Sequence, residues 1–316
     1  MTRLVLSTLK FLTLGLVLLG CTTPASLPPL TVSYWEVTGK PANFALATEA
    51  AVPDLAEVRS PPQQGVPFGP WTVPPHLIGP LYNGGVLPGK APYQALDEIR
   101  ARKGQVVLYL ARKKSQDDHG RISVSAVQRF LETWPDLSSY IRDGTVWGFM
   151  VSDDINGKHI WGPDAPYYPQ IDSMAKLVRD RWPAARTIVR ASPTQMNYPW
   201  KWVRWAWAQY SHRNGPVTDY RDRQIAKADS LGLCLVFGLN VVDGGDGSSG
   251  VGSRRGRSQM TGAEILKYYS ALLPYTPVAF HWEYRPEMEA NPEFHAAMKK
   301  VRAWADTTRR PSCRYE

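Results

Sequence analysis

The stretch that decides the fold is Val146-Trp147-Gly148-Phe149-Met150-Val151-Ser152-Asp153-Asp154, an apolar run that ends in two carboxylates. Runs of this kind recur along the chain from about residue 66, and a loop and an amphipathic or turn-rich stretch follow each one. Short apolar runs that alternate with amphipathic segments are typical of parallel strands connected by helices. The pattern therefore predicts an α/β fold built around a parallel sheet.

Eight runs are predicted as strands: Val66–Val73, Leu77–Asn83, Val106–Ala111, Val146–Asp154, Thr187–Ala191, Trp205–Tyr210, Leu233–Val241 and Val278–Tyr284. The clearest predicted helices between them are Pro92–Lys103, Val124–Trp134, Ile171–Trp182, Thr261–Leu273 and Asn291–Ala305. Eight strands with intervening helices in about 250 residues predict a single (β/α)8 barrel of the TIM type. A doubly wound open sheet is the alternative, although no Gly-rich phosphate fingerprint follows a strand.

The N-terminus has the features of an exported lipoprotein. Arg3 and Lys10 flank a basic start, and the apolar run Phe11–Leu19 is too short to span a bilayer but suits a signal peptide. It ends in Leu18-Leu19-Gly20-Cys21, which resembles the lipobox read by the lipoprotein signal peptidase. Residues 1–20 are therefore predicted to be a signal peptide, and the Cys21 thiol is predicted to carry the lipid.

This interpretation divides the rest of the chain and sets its location. Residues 21–60 are predicted to be the lipid anchor and a Pro-rich tether, and residues 61–316 the barrel domain. The protein is expected on a membrane of the bacterial cell envelope. The residue after the cysteine is Thr22 and not an aspartate. In a Gram-negative bacterium, this resembles the signal that directs a lipoprotein to the outer membrane.

The composition is that of a globular domain, with 43% apolar and 21% charged residues and a formal net charge of +9. A lipid-anchored envelope protein is not expected to meet nucleic acid, so the positive charge favours anionic lipid or acidic polysaccharide as a partner. A solvated basic surface without a specific partner is the alternative. The sequence predicts no cofactor and does not indicate an oligomeric state.

Two cysteines lie beyond Cys21. Cys234 falls inside the apolar run Leu233–Leu239, and Cys313 lies near the C-terminus. We expect Cys234 to be a buried free thiol. A disulfide between the two is the alternative in an oxidising compartment.

Candidate functional residues are sought at the C-terminal end of the barrel, here called the mouth, where such barrels place their active sites. Alternation along the fourth strand predicts that Asp154 points into the mouth and that Asp153 points outward. On the eighth strand, the same rule places His281 and Glu283 toward the axis and Trp282 toward the helices. Asn240 is expected to face the axis from the seventh strand.

Asp154 and Glu283 are therefore the predicted catalytic pair, because glycoside hydrolysis uses one carboxylate as general acid/base and a second as nucleophile or base. The chain has 12 tryptophans, and indole rings stack on the C–H faces of sugars. The predicted substrate-binding residues are Asn240, Trp282, Tyr284, Trp161, Asp153, Arg190 and Tyr210. The alternative is that a nearby arginine neutralises each carboxylate and neither takes part in chemistry.

The loop Asp243–Gln259 is rich in Gly, Ser, Asp and Arg, which suits either a lid over the mouth or a disordered segment. As a lid, it would bring Arg254, Arg255 and Arg257 to an acidic substrate. No metal site is predicted, because the histidines have no metal-ligand spacing and Asp243–Gly247 lacks the full pattern of a calcium loop.

From about Pro67 onward, the chain resembles bacterial proteins of the TIM-barrel glycoside hydrolase superfamily. The matching stretches are Val66–Pro70, Asp143–Gly148, Gly238–Asn240 with Gly244-Gly245, Met260-Thr261 and Trp282–Tyr284. The resemblance implies a carbohydrate substrate and two carboxylates at the mouth. The fourth strand departs from the pattern, however, because it ends Asp153-Asp154-Ile155 where Asp-Glu-Pro is usual. A barrel that binds a glycan or a protein without catalysis is therefore the alternative function.

Overall fold

The structure, a computed structural model, describes residues 65–88, 93–110, 115–162, 164–252 and 256–316. All of these residues belong to one compact unit. The predicted signal peptide, the lipid attachment at Cys21 and the tether lie outside the described residues. No helix in the described part of the chain is long and apolar enough to cross a membrane.

Eight parallel strands form the core of the domain: β1 Phe68–Pro70, β2 Gly84–Pro88, β3 Gln105–Tyr109, β4 Val146–Asp153, β5 Thr187–Arg190, β6 Trp205–Tyr210, β7 Cys234–Asn240 and β8 Ala279–Trp282. Their order in the sheet is β1-β8-β7-β6-β5-β4-β3-β2. A bridge between Trp71 and Val86 joins the two ends of this sheet. The predicted (β/α)8 barrel is therefore confirmed.

Helices cover the outside of the barrel: α1 Tyr93–Ala101, α2 Val124–Glu132, α3 Ser138–Arg142, α4 Lys158–Trp161, α5 Tyr168–Arg181, α6 Val217–Ser230, α7 Gly262–Leu272, α8 Pro286–Glu289 and α9 Pro292–Thr307. Local signals begin several of them. Thr261 and Glu264 form a capping box at α7, and the Asn291 side chain caps α9 with Pro292 in its first turn. All five helices predicted from the sequence are present, with ends shifted by a few residues.

The predicted second strand, Leu77–Asn83, is wrong. Pro75–Leu77 form a 3-10 turn, and β2 begins only at Gly84. Two glycines are the reason, because a Cβ atom on Gly69 would lie 1.9 Å from the carbonyl oxygen of Gly84. The barrel therefore closes where the glycines Gly69 and Gly84 let β1 and β2 approach each other. Because glycine has no apolar side chain, the start of β2 has no apolar pattern that would indicate a strand.

The core has two layers. An inner layer fills the barrel with side chains from the strands, mainly Val86, Val107, Trp147, Met150, Ile188, Trp205, Trp207, Val236, Val278 and Phe280. An outer layer joins the other face of the strands to the helices. Phe149, for example, stacks on Trp182 with ring centroids 4.9 Å apart. The interior is thus a packed core of large side chains.

Two predictions about strand faces are wrong. In β4, the register shifts opposite Val106/Val107 and again between Met150 and Ser152, and each β-bulge reverses the alternation of side chains. These two reversals cancel, so Asp153 lies on the same face as Trp147, but that face is the inner one and not the outer one that the prediction assumed. Asp153 therefore points inward, where it contacts Arg190.

In β8, Phe280 belongs to the inner layer, whereas His281 packs on the helix side beside Tyr269 of α7. The prediction assumed that small side chains face the axis. Large aromatic rings fill it instead, and Gly238 makes the space for one of them, because a Cβ there would lie 2.4 Å from Nε1 of Trp207.

A disulfide joins Cys234 to Cys313, with their Cα atoms 5.7 Å apart, so the expected free thiol at Cys234 is wrong. Cys234 is the first residue of β7 and therefore lies at the N-terminal end of the barrel. Cys313 and Tyr315 pack against the inner core layer from below. The C-terminal segment thus closes the end of the barrel opposite the mouth.

We predict that Cys313→Ser lowers the free energy of unfolding by about 4 kcal/mol, because the bond closes a loop spanning 79 residues and restricts the unfolded chain. Urea unfolding of both proteins measures the loss, with Ser312→Ala as the control. Reductant should lower the wild type to the level of the variant. Equal stability of wild type and Cys313→Ser would contradict the disulfide.

Candidate functional site

Arg190, the last residue of β5, is the centre of the polar group at the mouth. Its guanidinium is buried and makes three contacts. Nε donates to Oδ1 of Asp153, Nη1 donates to Oε1 of Gln209 at 2.9 Å, and Nη2 lies 3.0 Å from Oδ2 of Asp154. Since two carboxylates share one guanidinium, this cluster carries one net negative charge.

The two aspartates differ in exposure. The Asp153 side chain is 15% exposed, while that of Asp154 is 50% exposed. Burial raises the pKa of the Asp153 carboxyl, the charge of Asp154 adds to this, and Arg190 opposes it. Burial alone would lower the pKa of Arg190, but the charges of Asp153 and Asp154 raise it overall. Asp153 is therefore an internal counter-ion, and Asp154 is the carboxylate that solvent reaches.

Backbone geometry fixes this arrangement. Nε1 of Trp161 donates to the carbonyl oxygen of Asp153 at 2.9 Å, which holds the end of β4. Asp154 has a φ of 46°, in the left-handed region that aspartate and asparagine tolerate better than most residues. This turn directs the Asp154 side chain out of the strand and into the mouth.

Aromatic rings flank the guanidinium. The Arg190 Cζ atom lies 5.7 Å from the ring centroid of Trp71 and 5.3 Å from that of Trp282. These two rings are 5.1 Å apart, and Tyr109 is 5.0 Å from Trp71. Such cation–π contacts stabilise a buried cation. The Trp282 ring is only partly buried, so it presents an indole surface at the mouth.

Glu283 lies next to Trp282, immediately after β8. Its Oε1 is 3.1 Å from Nη2 of Arg285, and its side chain is 28% exposed. The Trp282–Glu283 peptide bond is cis. Tyr284 is half-buried and donates its amide to the carbonyl oxygen of Trp71 at 2.9 Å. Asp154 contacts Arg190, and Arg190 contacts Trp282. The second carboxylate, Glu283, is the next residue after Trp282.

The remaining predicted residues lie elsewhere or have structural contacts. Tyr210 is on the helix side of β6, where its hydroxyl donates to the carbonyl oxygen of Gly215 at 2.8 Å. Asn240 is nearly buried, and its Oδ1 accepts from the amide of Asp243 at 2.9 Å. Trp161 is buried beneath the mouth. The structure thus brings Asp153, Asp154, Arg190 and Trp282 together, but not Tyr210.

Several site residues were missed from the sequence, namely Trp71, Tyr109, Gln209 and Arg285. Gln209 has a signal, because it continues the alternation of Trp205 and Trp207 along β6. Its Nε2 is buried without a hydrogen-bond partner among the described residues. This donor lies on the side chain whose Oε1 accepts from Arg190, at the base of the mouth.

One group of described residues has metal-ligand chemistry: His212, Asp246 and Glu264 place ligand atoms within 4.8 Å of one another. The Glu264 oxygens are already used, however. They accept from the amides of Asp246 and Thr261 and from the hydroxyls of Thr261 and Tyr268. The cluster is therefore accounted for by the capping of α7, and we assign no metal to it.

The loop after β7 folds back on itself through bridges that join Gly245 and Gly252 to Ser258. Arg257 lies 4.0 Å from Asp243 of the same loop. The other two arginines predicted for a lid, Arg254 and Arg255, lie outside the described residues.

We predict that Arg190→Met lowers the free energy of unfolding by about 3–5 kcal/mol, because it leaves Asp153 buried without its counter-ion. Arg285→Met is the matched control and should cost under about 1 kcal/mol, since its partner Glu283 is partly exposed. Adding Asp153→Asn to Arg190→Met should recover part of the loss. Equal small losses in the two arginine variants, measured by urea unfolding, would contradict this description of the pair.

No protein-family model matches this chain, and no curated protein matches it significantly. Among solved structures, it is similar to a GH113 β-1,4-mannanase with a TM-score of 0.51 and 10% identity, covering 77% of this chain and 99% of the other.

A GH2 β-galacturonidase from Eisenbergiella tayi, bound to galacturonate, matches with a TM-score of 0.51 and 10% identity over 78% of this chain and 52% of the other. ScGas2 in complex with compound 8 matches with a TM-score of 0.50 and 11% identity, covering 79% of this chain and 66% of the other. At these identities the similarity establishes the TIM-barrel fold.

Proposed function

We propose that this protein is an exported glycoside hydrolase whose active site is the mouth of the barrel. The observation that carries the proposal is a pair of solvent-accessible carboxylates, Asp154 after β4 and Glu283 after β8, connected through Arg190 and the partly exposed Trp282. Two carboxylates and an aromatic platform are what hydrolysis of a glycosidic bond requires. Glycoside hydrolases among the solved barrels of similar fold support the same substrate class.

In this proposal, Asp154 exchanges a proton with the glycosidic oxygen. Its side chain is half exposed and contacts only one arm of the Arg190 guanidinium, so a sugar can reach it. Glu283 is the nucleophile or the base, and the adjacent Arg285 holds its carboxylate in place. Trp282 stacks on a sugar ring, and the free Nε2 of Gln209 donates to a sugar hydroxyl or ring oxygen.

We predict that Asp154→Asn and Glu283→Gln each lower kcat/KM on the polysaccharide that the wild type cleaves by about 10²–10⁴-fold. Asparagine tolerates the left-handed backbone at position 154, so this variant removes the acid without adding strain. Release of reducing ends from a panel of polysaccharides is the measurement.

Asp180→Asn and Glu132→Gln are the matched controls, because both side chains are exposed and lie near the C-terminal ends of α5 and α2, at the end of the barrel opposite the mouth. They should retain full activity. Wild-type hydrolysis that survives both Asp154→Asn and Glu283→Gln would rule out the two-carboxylate assignment.

Glycan binding without hydrolysis is the second candidate function. It is favoured by one observation, that Asp154 and Glu283 each already have an arginine partner. An aspartate at position 154 is also shorter than the glutamate usual in such barrels, which moves a proton donor by about one methylene. Binding of an oligosaccharide that is lost in Trp282→Ala, with no release of reducing ends by the wild type, would select this function.

The proposed location is a membrane of the bacterial envelope, with the domain anchored through lipid on Cys21. The sequence Leu18-Leu19-Gly20-Cys21 is its basis. The Cys234–Cys313 disulfide supports export, because structural disulfides persist in oxidising compartments and are rare in the cytosol.

We predict that Cys21→Ser abolishes incorporation of labelled fatty acid into the protein in a bacterial host, since serine supplies no thiol for the lipid. Cys313→Ser is the matched control and should be labelled like the wild type. Labelling of the Cys21→Ser protein would contradict the anchor.

A further inference from the structure

The N-terminal end of the barrel, opposite the mouth, is strongly basic. This basal face consists of the turns that precede the strands and of the C-terminal segment 308–316. Glu98 of α1 and Asp229 of α6 pair with two arginines of this face, Arg102 and Arg314. The described residues of the face itself include two acids, Asp143 and Glu316, of which Glu316 pairs with Arg186. They also include seven basic side chains, which are Arg102, Lys103, Arg186, Arg204, Arg309, Arg310 and Arg314.

Several of these cations are not matched by an acid. Arg310 donates to the carbonyl oxygen of Gly65 and to Oε1 of Gln105, which are both uncharged groups. Burial and then the charge of Arg186 lower the pKa of Arg310 to about 10. Lys103 and Arg309 are exposed and have no carboxylate within ion-pair distance among the described residues. Crowded like charges of this kind favour an anionic partner.

The chain enters the domain at the same face. The amide of Val66 donates to the carbonyl oxygen of Ala305 at 2.7 Å, near the end of α9, and β1 then runs from this end toward the mouth. Gly65 therefore lies on the basal face. The segment that connects the domain to Cys21 joins it there, on the side that carries the positive charge.

We propose that the basal face lies on an anionic lipid surface, so that the mouth points away from the membrane. The inference rests on the proposed envelope location. Anionic headgroups attract each nearby lysine or arginine, and the contributions of several such contacts add together. The disulfide-linked C-terminal segment holds Arg309, Arg310 and Arg314 at this face, so the charge is part of the folded domain.

Sedimentation with vesicles tests the proposal. The mature chain, residues 21–316 with Cys21→Ser, carries no lipid and so reports the protein surface alone. We expect it to bind vesicles of phosphatidylcholine mixed with phosphatidylglycerol, and not vesicles of phosphatidylcholine. Binding should weaken as salt is raised. Lys103→Glu combined with Arg309→Glu should weaken it by on the order of 30-fold.

Lys158→Glu combined with Arg213→Glu is the matched control. It makes the same charge change at two exposed positions on the loops of the mouth side, and it should bind like the unchanged chain. Equal loss in both double variants, or equal binding to both kinds of vesicle, would overturn the proposal. Binding to a soluble acidic polysaccharide but not to vesicles would also overturn it. The assay contains no glycosidic substrate, so its outcome is independent of whether the mouth hydrolyses sugars.

Discussion

The mouth of this barrel depends on the requirement that a buried guanidinium have its charge satisfied. Arg190 is almost inaccessible to water, so its partners must come from the protein, and Asp153, Asp154 and Gln209 supply them. This requirement fixes the end of β4, where Trp161 holds the Asp153 carbonyl. It also explains the aromatic walls, since the rings of Trp71 and Trp282 take up the faces of the cation that hydrogen bonds leave open.

Below the mouth, large aromatic side chains fill the interior of the barrel. Trp205, Trp207 and Phe280 fill the barrel interior, and Gly238 is the position at which a side chain would collide with Trp207. Tyr315 and the Cys234–Cys313 disulfide close the opposite end. Among the described residues, the interior is therefore solid from the disulfide to the aromatic layer. Polar chemistry has room only above that layer, where Arg190 and its carboxylates lie.

The strands could be predicted where an apolar run marks a buried segment. They could not be predicted where two backbones approach closely at glycine residues. Long apolar runs such as Val146–Asp153 indicated most strands, but β2 begins at Gly84, where close approach of two chains requires the absence of side chains. The candidate site was likewise predicted only in part. Asp154 was predicted to point into the mouth, and it lies there beside Arg190, whereas Trp282 was predicted to face the helices and its ring lies beside Arg190 instead. The directions of Asp153 and His281 were missed, because large aromatic side chains fill the axis of the barrel, so that the faces of Trp147 and Phe280 point inward.

The difference between Asp153 and Asp154 bears on what the site can do when a ligand enters. If Asp154 left Arg190, the guanidinium would keep Asp153 and Gln209, so the charge at the centre of the mouth would remain satisfied. The contact that is given up joins a buried group to a half-exposed one, and exchanging it for water or a sugar hydroxyl costs about 1 kcal/mol. Release of Asp153 would instead strand a buried charge, at several times that cost. Arg190 therefore holds Asp153 in a structural ion pair and leaves Asp154 free to move. A proton donor must approach the glycosidic oxygen and withdraw from it, and Asp154 is the member of the pair whose surroundings permit this.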